Sequence, residues 1–157
     1  MLKAYIISPY AGNIEKNSKN AREYCLFAIQ KGYLPIAAHM YFPQFFEETI
    51  PKEREKGLEM GMEMLKLSDE AWIFYDNRIS SGMAKEIKKA KELGIRLRAF
   101  LCRDGTVIEE TDPENIKFRY QMLRLENLTF KRIKENGAPQ SAYHDFKDYI
   151  VLDLETT

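Results

Sequence analysis

The chain has 157 residues with 24 Lys plus Arg against 24 Asp plus Glu, so it carries no net field to recruit nucleic acid or an anionic membrane. A chain of this length builds one compact domain that buries roughly 70% of its unfolded surface, with no disulfide or metal needed to hold it. The expected partner is a small molecule or another protein, and no cofactor is called for. Cys25 and Cys102 have no C-x-x-C spacing and no adjacent histidine, and they read as reduced core residues. The apolar runs are short, and "MLKAYIISPY" enters a strand without a charged leader, which points to a cytoplasmic protein.

Residues 3 to 7 read as a strand, followed by a loop in "SPYAGN". From Glu15 to Lys31 the apolar set Ala21, Tyr24, Cys25, Ala28 and Ile29 falls on one helical face, stopped by Gly32. "YLPIAA" is a second strand and "HMYFPQFF" an aromatic loop or broken turn, whose Tyr41, Phe42, Phe45 and Phe46 wall a pocket, meet a second subunit or fill core. A helix over Lys52 to Leu67 carries Leu58, Met62 and Leu65 on one stripe, with Gly57 and Gly61 one turn apart where a neighbour can approach closely. "AWIFYD" is a fully apolar strand, Gly82 to Leu93 a helix stopped by Gly94, and "IRLRAFL" a fourth strand.

Strands alternating with helices at this spacing predict an α/β fold, a Rossmann- or flavodoxin-like three-layer sandwich with a central parallel sheet, over residues 1–106. Such sheets bind ligands at the carboxyl ends of their strands, which puts weight on "SPYAGN", "HMYFPQ" and "DNRISSG". Beyond residue 106 the pattern changes to a basic helical extension over 107–148 that starts near Asp112-Pro113, for which nucleic-acid binding is not the leading expectation. Residues 149–157 read as a strand-like tail.

Glu86 needs explaining. Ser80 or Ser81 is a natural helix cap, but a capping box wants its carboxylate three residues later, at Met83 or Ala84. Glu86 lies about 100° from Ile87, which with Met83 and Ala90 makes the buried stripe, so it sits at the edge of the core face. There a fixed carboxylate faces the crevice above the sheet, favoured by the helix dipole, and the amides of Ser81, Gly82 and Met83 offer an anion site. The bland alternative, a solvated glutamate paired with Lys85, Lys88, Lys89 and Lys91, stays open on spacing alone.

"AYIISPY", "SDEAWIFYD" and "SSGMAKEIKKA", in that order, resemble the nucleoside 2-deoxyribosyltransferase superfamily over about residues 3–101, with Gly82 and Glu86 matching its Gly-x-x-x-Glu. The resemblance implies a glutamate nucleophile at Glu86 that attacks the anomeric carbon and releases the base. It implies Tyr5 as the residue orienting that glutamate, and Ser80 as the one touching the sugar or 5′-phosphate. It also implies a homodimer or higher homo-oligomer. The chain departs from the pattern at Gly61, where the transferases carry an aspartate, and at Ser8-Pro9, where Gly-Pro is usual.

The remaining candidates for contact with a nucleoside or nucleotide are loop residues. Ser8, Tyr10, Gly12 and Asn13 follow the first strand and His39 the second, while Asp76 and Arg78, beside Asn77, end the third. A carboxylate such as Asp76 meets a sugar hydroxyl and a guanidinium such as Arg78 meets a phosphate; plain turn chemistry explains the same letters. Asp69 reads as a turn or cap residue, Arg22 as a helix-borne cation, and His144 is assigned nothing. "YIVLDLETT" resembles the first motif of the DEDD 3′-to-5′ exonucleases through Asp153 and Glu155, without the further acidic residues that chemistry needs. Three functions follow for testing: N-glycosidic cleavage or transfer, nucleotide binding without turnover, and an accessory domain of an exonuclease fusion.

Overall fold

The structure is a computed structural model that describes residues 1–116, and its α/β unit runs from Met1 to Pro113. Strands β1 (Lys3–Ile7), β2 (Leu34–Ile36), β3 (Glu70–Tyr75), β4 (Arg96–Arg103) and β5 (Thr106–Thr111) form one sheet in the order β2-β1-β3-β4-β5. The first four are parallel, with Tyr5 opposite Ile36 on one side and Ala71 on the other, and β5 closes the far edge antiparallel to β4. Helix α1 (Ile14–Gln30) follows β1, a short α2 (Ala38–Tyr41) and a 3-10 turn (Phe42–Gln44) follow β2, then come α3 (Pro51–Lys66) and α4 (Ser81–Glu92).

All six residues of β3 are buried, which is why this strand reads as an apolar run rather than an alternation: both faces of the sheet are covered. On one face Ala4, Ile6, Trp72, Phe74, Phe100 and Cys102 pack with Tyr24 and Ala28 of α1. Tyr24 stacks on Phe74 with centroids 4.4 Å apart and planes 8° from parallel. Residues of opposite parity, Tyr5, Ile7, Ile73, Tyr75 and Leu101, point to the other face. There the buried residues of α3 and α4 include Leu65, Met83 and Ala90. The chain therefore turns one way from β1 to β2 and the other way to β3. The crevice of a flavodoxin-order sheet opens at that reversal, above the carboxyl ends of β1 and β3.

Four expectations change. β2 is shorter than "YLPIAA", because Ala38 already begins α2, and of the loop or broken turn expected for "HMYFPQFF" the structure has the broken turn, a short helix followed by a 3-10 turn. Ile29 belongs to the exposed side of α1, 54% accessible, since Ala21, Tyr24 and Ala28 fill the contact with the sheet. The sheet is mostly rather than wholly parallel. The boundary at residue 106 also moves: Asp104 and Gly105 both take left-handed backbone, φ 49° and 83°, the geometry of a two-residue hairpin turn that folds residues 106–111 back as β5. Residues 107–111 are thus strand, not helical extension, and the unit ends at Pro113. The helix expected further on, His144 and the tail with Asp153 and Glu155 lie outside the described residues.

Candidate active site

The site grows from Tyr5 and Glu86. Tyr5 is the third residue of β1 and points to the α3/α4 face; Glu86 sits one turn into α4 and is 8% exposed, deeper than the edge position its spacing implied. Ile87 is only half-buried, so the inward stripe of α4 is Met83, Glu86 and Ala90. The Tyr5 hydroxyl donates to the Glu86 carboxylate. Burial pushes the Glu86 carboxyl up from 4.5 to about 7, and the Tyr5 hydrogen bond, which favours the ionised form, offsets part of that rise. Tyr5 itself is held firmly as the phenol by burial and by the neighbouring carboxylate.

Room for this pair comes from α3. A Cβ on Gly61 would fall 3.1 Å from the Tyr5 hydroxyl and 3.3 Å from Ala38 Cβ. The close approach expected of Gly57 and Gly61 is therefore made to the Tyr5 hydroxyl at Gly61 and to Phe46 and Phe42, at 3.6 and 3.8 Å, at Gly57.

Around this pair lies a cavity of about 280 Å³, at the low end of the range of roughly 300–1,000 Å³ usual for small-molecule sites. Its wall takes in Ser8, Tyr10 and Gly12 from the β1 loop, His39 from α2, and Arg78 through Met83 at the mouth of α4, Ile79 excepted. Ser80 caps α4: its hydroxyl oxygen accepts from the Met83 amide at 3.2 Å and its carbonyl from the Ala84 amide at 2.9 Å. The Met83 amide is thus consumed by the cap, and those of Ser81 and Gly82 are left for the cavity mouth. Arg78 reaches across the loop to the Ala11 carbonyl at 3.4 Å, its guanidinium lying 3.6 Å from where a Gly12 side chain would begin. Gly12 takes φ 98°, a left-handed backbone that favours glycine, while a Cβ there would make only an ordinary contact.

His39 is half-buried, with Nε2 2.9 Å from Ser8 Oγ and its ring edge-on to Tyr10 at 6.3 Å. Burial lowers its pKa to about 4, which makes it neutral at ordinary pH. Two expected site residues are absent from the wall. Asn13 spends its side chain capping α1, accepting from the Lys16 amide at 3.1 Å. The Asp76 carboxylate turns back to the Asn77 amide at 2.6 Å. Asp69, read as a turn or cap residue, instead reaches across to the start of β1, accepting from the Lys3 amide at 2.7 Å. Arg54, Glu48 and Glu53 also line the cavity. "PKEREKG" hides Arg54 among charges that alternate like any solvated helix start, and no periodicity singles it out.

The structure thus defines a class by its fold: an α/β domain with a switch-point cavity that brings together a buried carboxylate, a phenol and a helix mouth. Residues 2–100 match the model of a family described as Domain of unknown function (DUF7768), and the chain belongs to that family. No curated protein matches the chain. Among solved structures it is similar to a 2-deoxyribosyltransferase from the psychrotolerant bacterium Bacillus psychrosaccharolyticus. That match has TM-score 0.54 and 18% identity, covering 68% of this chain and 77% of that one. At this identity the likeness is one of fold. Among the described residues no helix is long and apolar enough to cross a membrane.

Proposed function

We propose that this domain binds a nucleoside or nucleotide and cleaves or transfers its N-glycosidic bond with Glu86 as the nucleophile. The observation that carries the reading is the Tyr5–Glu86 pair, a buried carboxylate hydrogen-bonded to a buried phenol on the wall of the switch-point cavity. Ionised Glu86 attacks the anomeric carbon, the carbon–nitrogen bond breaks, and its electron pair leaves with the base, which takes a proton from solvent. Water, or a second base in a transfer, then attacks the glycosyl ester and returns Glu86 to its carboxylate; the transition state is oxocarbenium-like, as in retaining glycosidases. Arg78 and the Ser80–Gly82 helix mouth are assigned to the sugar or a 5′-phosphate, and Tyr10 to a face of the base. The similar solved transferase supports glycosyl transfer as the reaction class, and the reading includes a homo-oligomer in the cytoplasm.

One observation favours binding without turnover: Gly61 stands on the cavity wall where the transferases that the chain resembles carry an aspartate. A thermal-shift screen of nucleosides and nucleotides, with free base followed by chromatography, separates the two. The glycosidic reading expects a ligand that stabilises wild type and loses its base, and that stabilises Glu86→Gln and stays intact. A ligand that remains intact with both proteins leaves the binding module as the answer.

A further inference from the structure

We infer that Ser8 is the group that offers a hydrogen bond to an acceptor atom on the departing base, and that His39 is a positioning residue that acts only through it. The inference rests on the glycosidic reading above and assigns the base-recognition end of that site. It starts from an unpartnered atom. His39 Nδ1 is sealed from solvent and has no hydrogen-bond partner among the described residues, while Nε2 meets Ser8 Oγ at 2.9 Å.

A neutral imidazole carries one proton, and each placement has a different consequence. On Nδ1 it becomes a buried donor without an acceptor, and Ser8 must then donate to Nε2. On Nε2 it is donated to Ser8, and Nδ1 buries only a lone pair. Buried orphan N–H groups are rarer than under-satisfied acceptors, which selects the second arrangement. The low pKa of His39 agrees, since no acidic partner stabilises a second proton. With its oxygen accepting from the ring, the Ser8 hydroxyl has its own proton left to give.

Where that proton goes follows from the surroundings. Ser8 is 4% exposed, directly follows β1, and lines the cavity with Tyr10 and His39, as do Phe42 and Phe46. These rings offer planar surface. Arg78, held by the Ala11 carbonyl, and the amides of the α4 mouth are assigned above to the sugar or a 5′-phosphate, which leaves Ser8 and the rings for the base. A flat ring with an exocyclic oxygen or an unprotonated ring nitrogen is the ligand chemistry that Ser8 fits, and hydrogen bonding there stabilises charge left on the base as its bond breaks. His39, neutral, with Nε2 engaged by Ser8 and Nδ1 sealed from solvent, has no direct role.

The first test needs no substrate. In the 15N-histidine-labelled full chain carrying His144→Gln, His39 is expected to be neutral with its proton on Nε2 from pH 6 to pH 8. A proton on Nδ1 overturns the inference, because Ser8 then has none to give. The second test titrates adenine, hypoxanthine, thymine and uracil into the protein by calorimetry. At least one base is expected to bind, and Ser8→Ala to weaken it about tenfold, the worth of one neutral hydrogen bond. His39→Leu should cost the same, the double variant no more than either, and His39→Gln, which restores an N–H near Nε2, should recover affinity to within about threefold. Additive losses, or Ser8→Ala binding like wild type, overturn the inference, as does a wild type that binds no base. Circular dichroism screens the variants for folding, and the tautomer measurement stands whether or not they fold. Base release that depends on Glu86 keeps the glycosidic reading even if this one fails. Ser8-dependent base binding without release does the reverse.

Discussion

At the scale of single residues, Glu86 is the informative one, because its burial conflicts with its charge. A carboxyl whose folded pKa is raised from 4.5 to about 7 binds a proton in the folded state that the unfolded chain has already lost. Its contribution to stability is therefore complete below about pH 4.5 and falls away as the pH rises through 7, by about 3 kcal/mol for a shift of this size. Glu86→Gln, neutral throughout, should match wild type in urea unfolding near pH 4.5 and exceed it by that order at pH 8; equal stabilities at both values would remove the buried-carboxylate argument. Tyr5→Phe deletes the hydrogen bond that favours the ionised form, so the ascending limb of the pH–rate profile, expected near 7, should move up by about one unit. An unmoved limb would mean that Tyr5 does not tune Glu86.

At the scale of elements, two close contacts decide how strands and helices meet. Gly61 sets the distance between α3 and β1, and Gly61→Ala puts a methyl 3.1 Å from the Tyr5 hydroxyl. Overpacking costs about 1–3 kcal/mol against a helix-propensity gain of about 1. The variant should be at best neutral in stability yet slower in base release, since the displaced atom is the hydroxyl that contacts Glu86. Wild-type rates in a folded Gly61→Ala would show that the gap is incidental. At the opposite end of the sheet, Glu70 is 6% exposed and serves four partners: Trp72 Nε1 at 2.7 Å, Tyr33 and Arg96 at 3.3 Å, and Arg98 at 3.7 Å. Arg98 in turn lies over the Trp72 ring at 4.7 Å. Glu70→Ala leaves these donors short of their acceptor and should lower unfolding stability by about 3 kcal/mol, with no change in the pH limb of activity because the cluster lies away from the cavity.

At the scale of the whole molecule, the question is where the folding unit ends. β5 pairs with β4 from Ala99↔Thr111 to Arg103↔Thr106, Tyr75 meets Thr111 Oγ1 at 2.7 Å, and Arg98 pairs with Glu110. A chain cut after residue 113 should melt cooperatively by circular dichroism. A cut after residue 105 uncovers the β4 edge and strips those partners, and should melt at least about 5 °C lower or fail to fold. Identical melting of the two would return the boundary to residue 106.

The amino-acid sequence alone determined the βα alternation, the central apolar strand, and the loops that meet over β1 and β3, because periodicity and Gly stops are local properties of the chain. It also marked Glu86 as a glutamate that capping does not explain, while Tyr5, Ser80 and Gly82 were pointed to by the family resemblance. It carries a signal for β5 as well: Asp104-Gly105 is a hairpin-turn pair, and Thr106-Val107-Ile108 after it is strand-like. Only the tertiary structure decided that Asn13 and Asp76 serve their own backbone, that Arg54 reaches the cavity, and that Gly61 makes room for Tyr5 beside Glu86. Those outcomes depend on distances between residues far apart in the chain, and on desolvation, which exists only once the sheet and both helix layers have closed around the site.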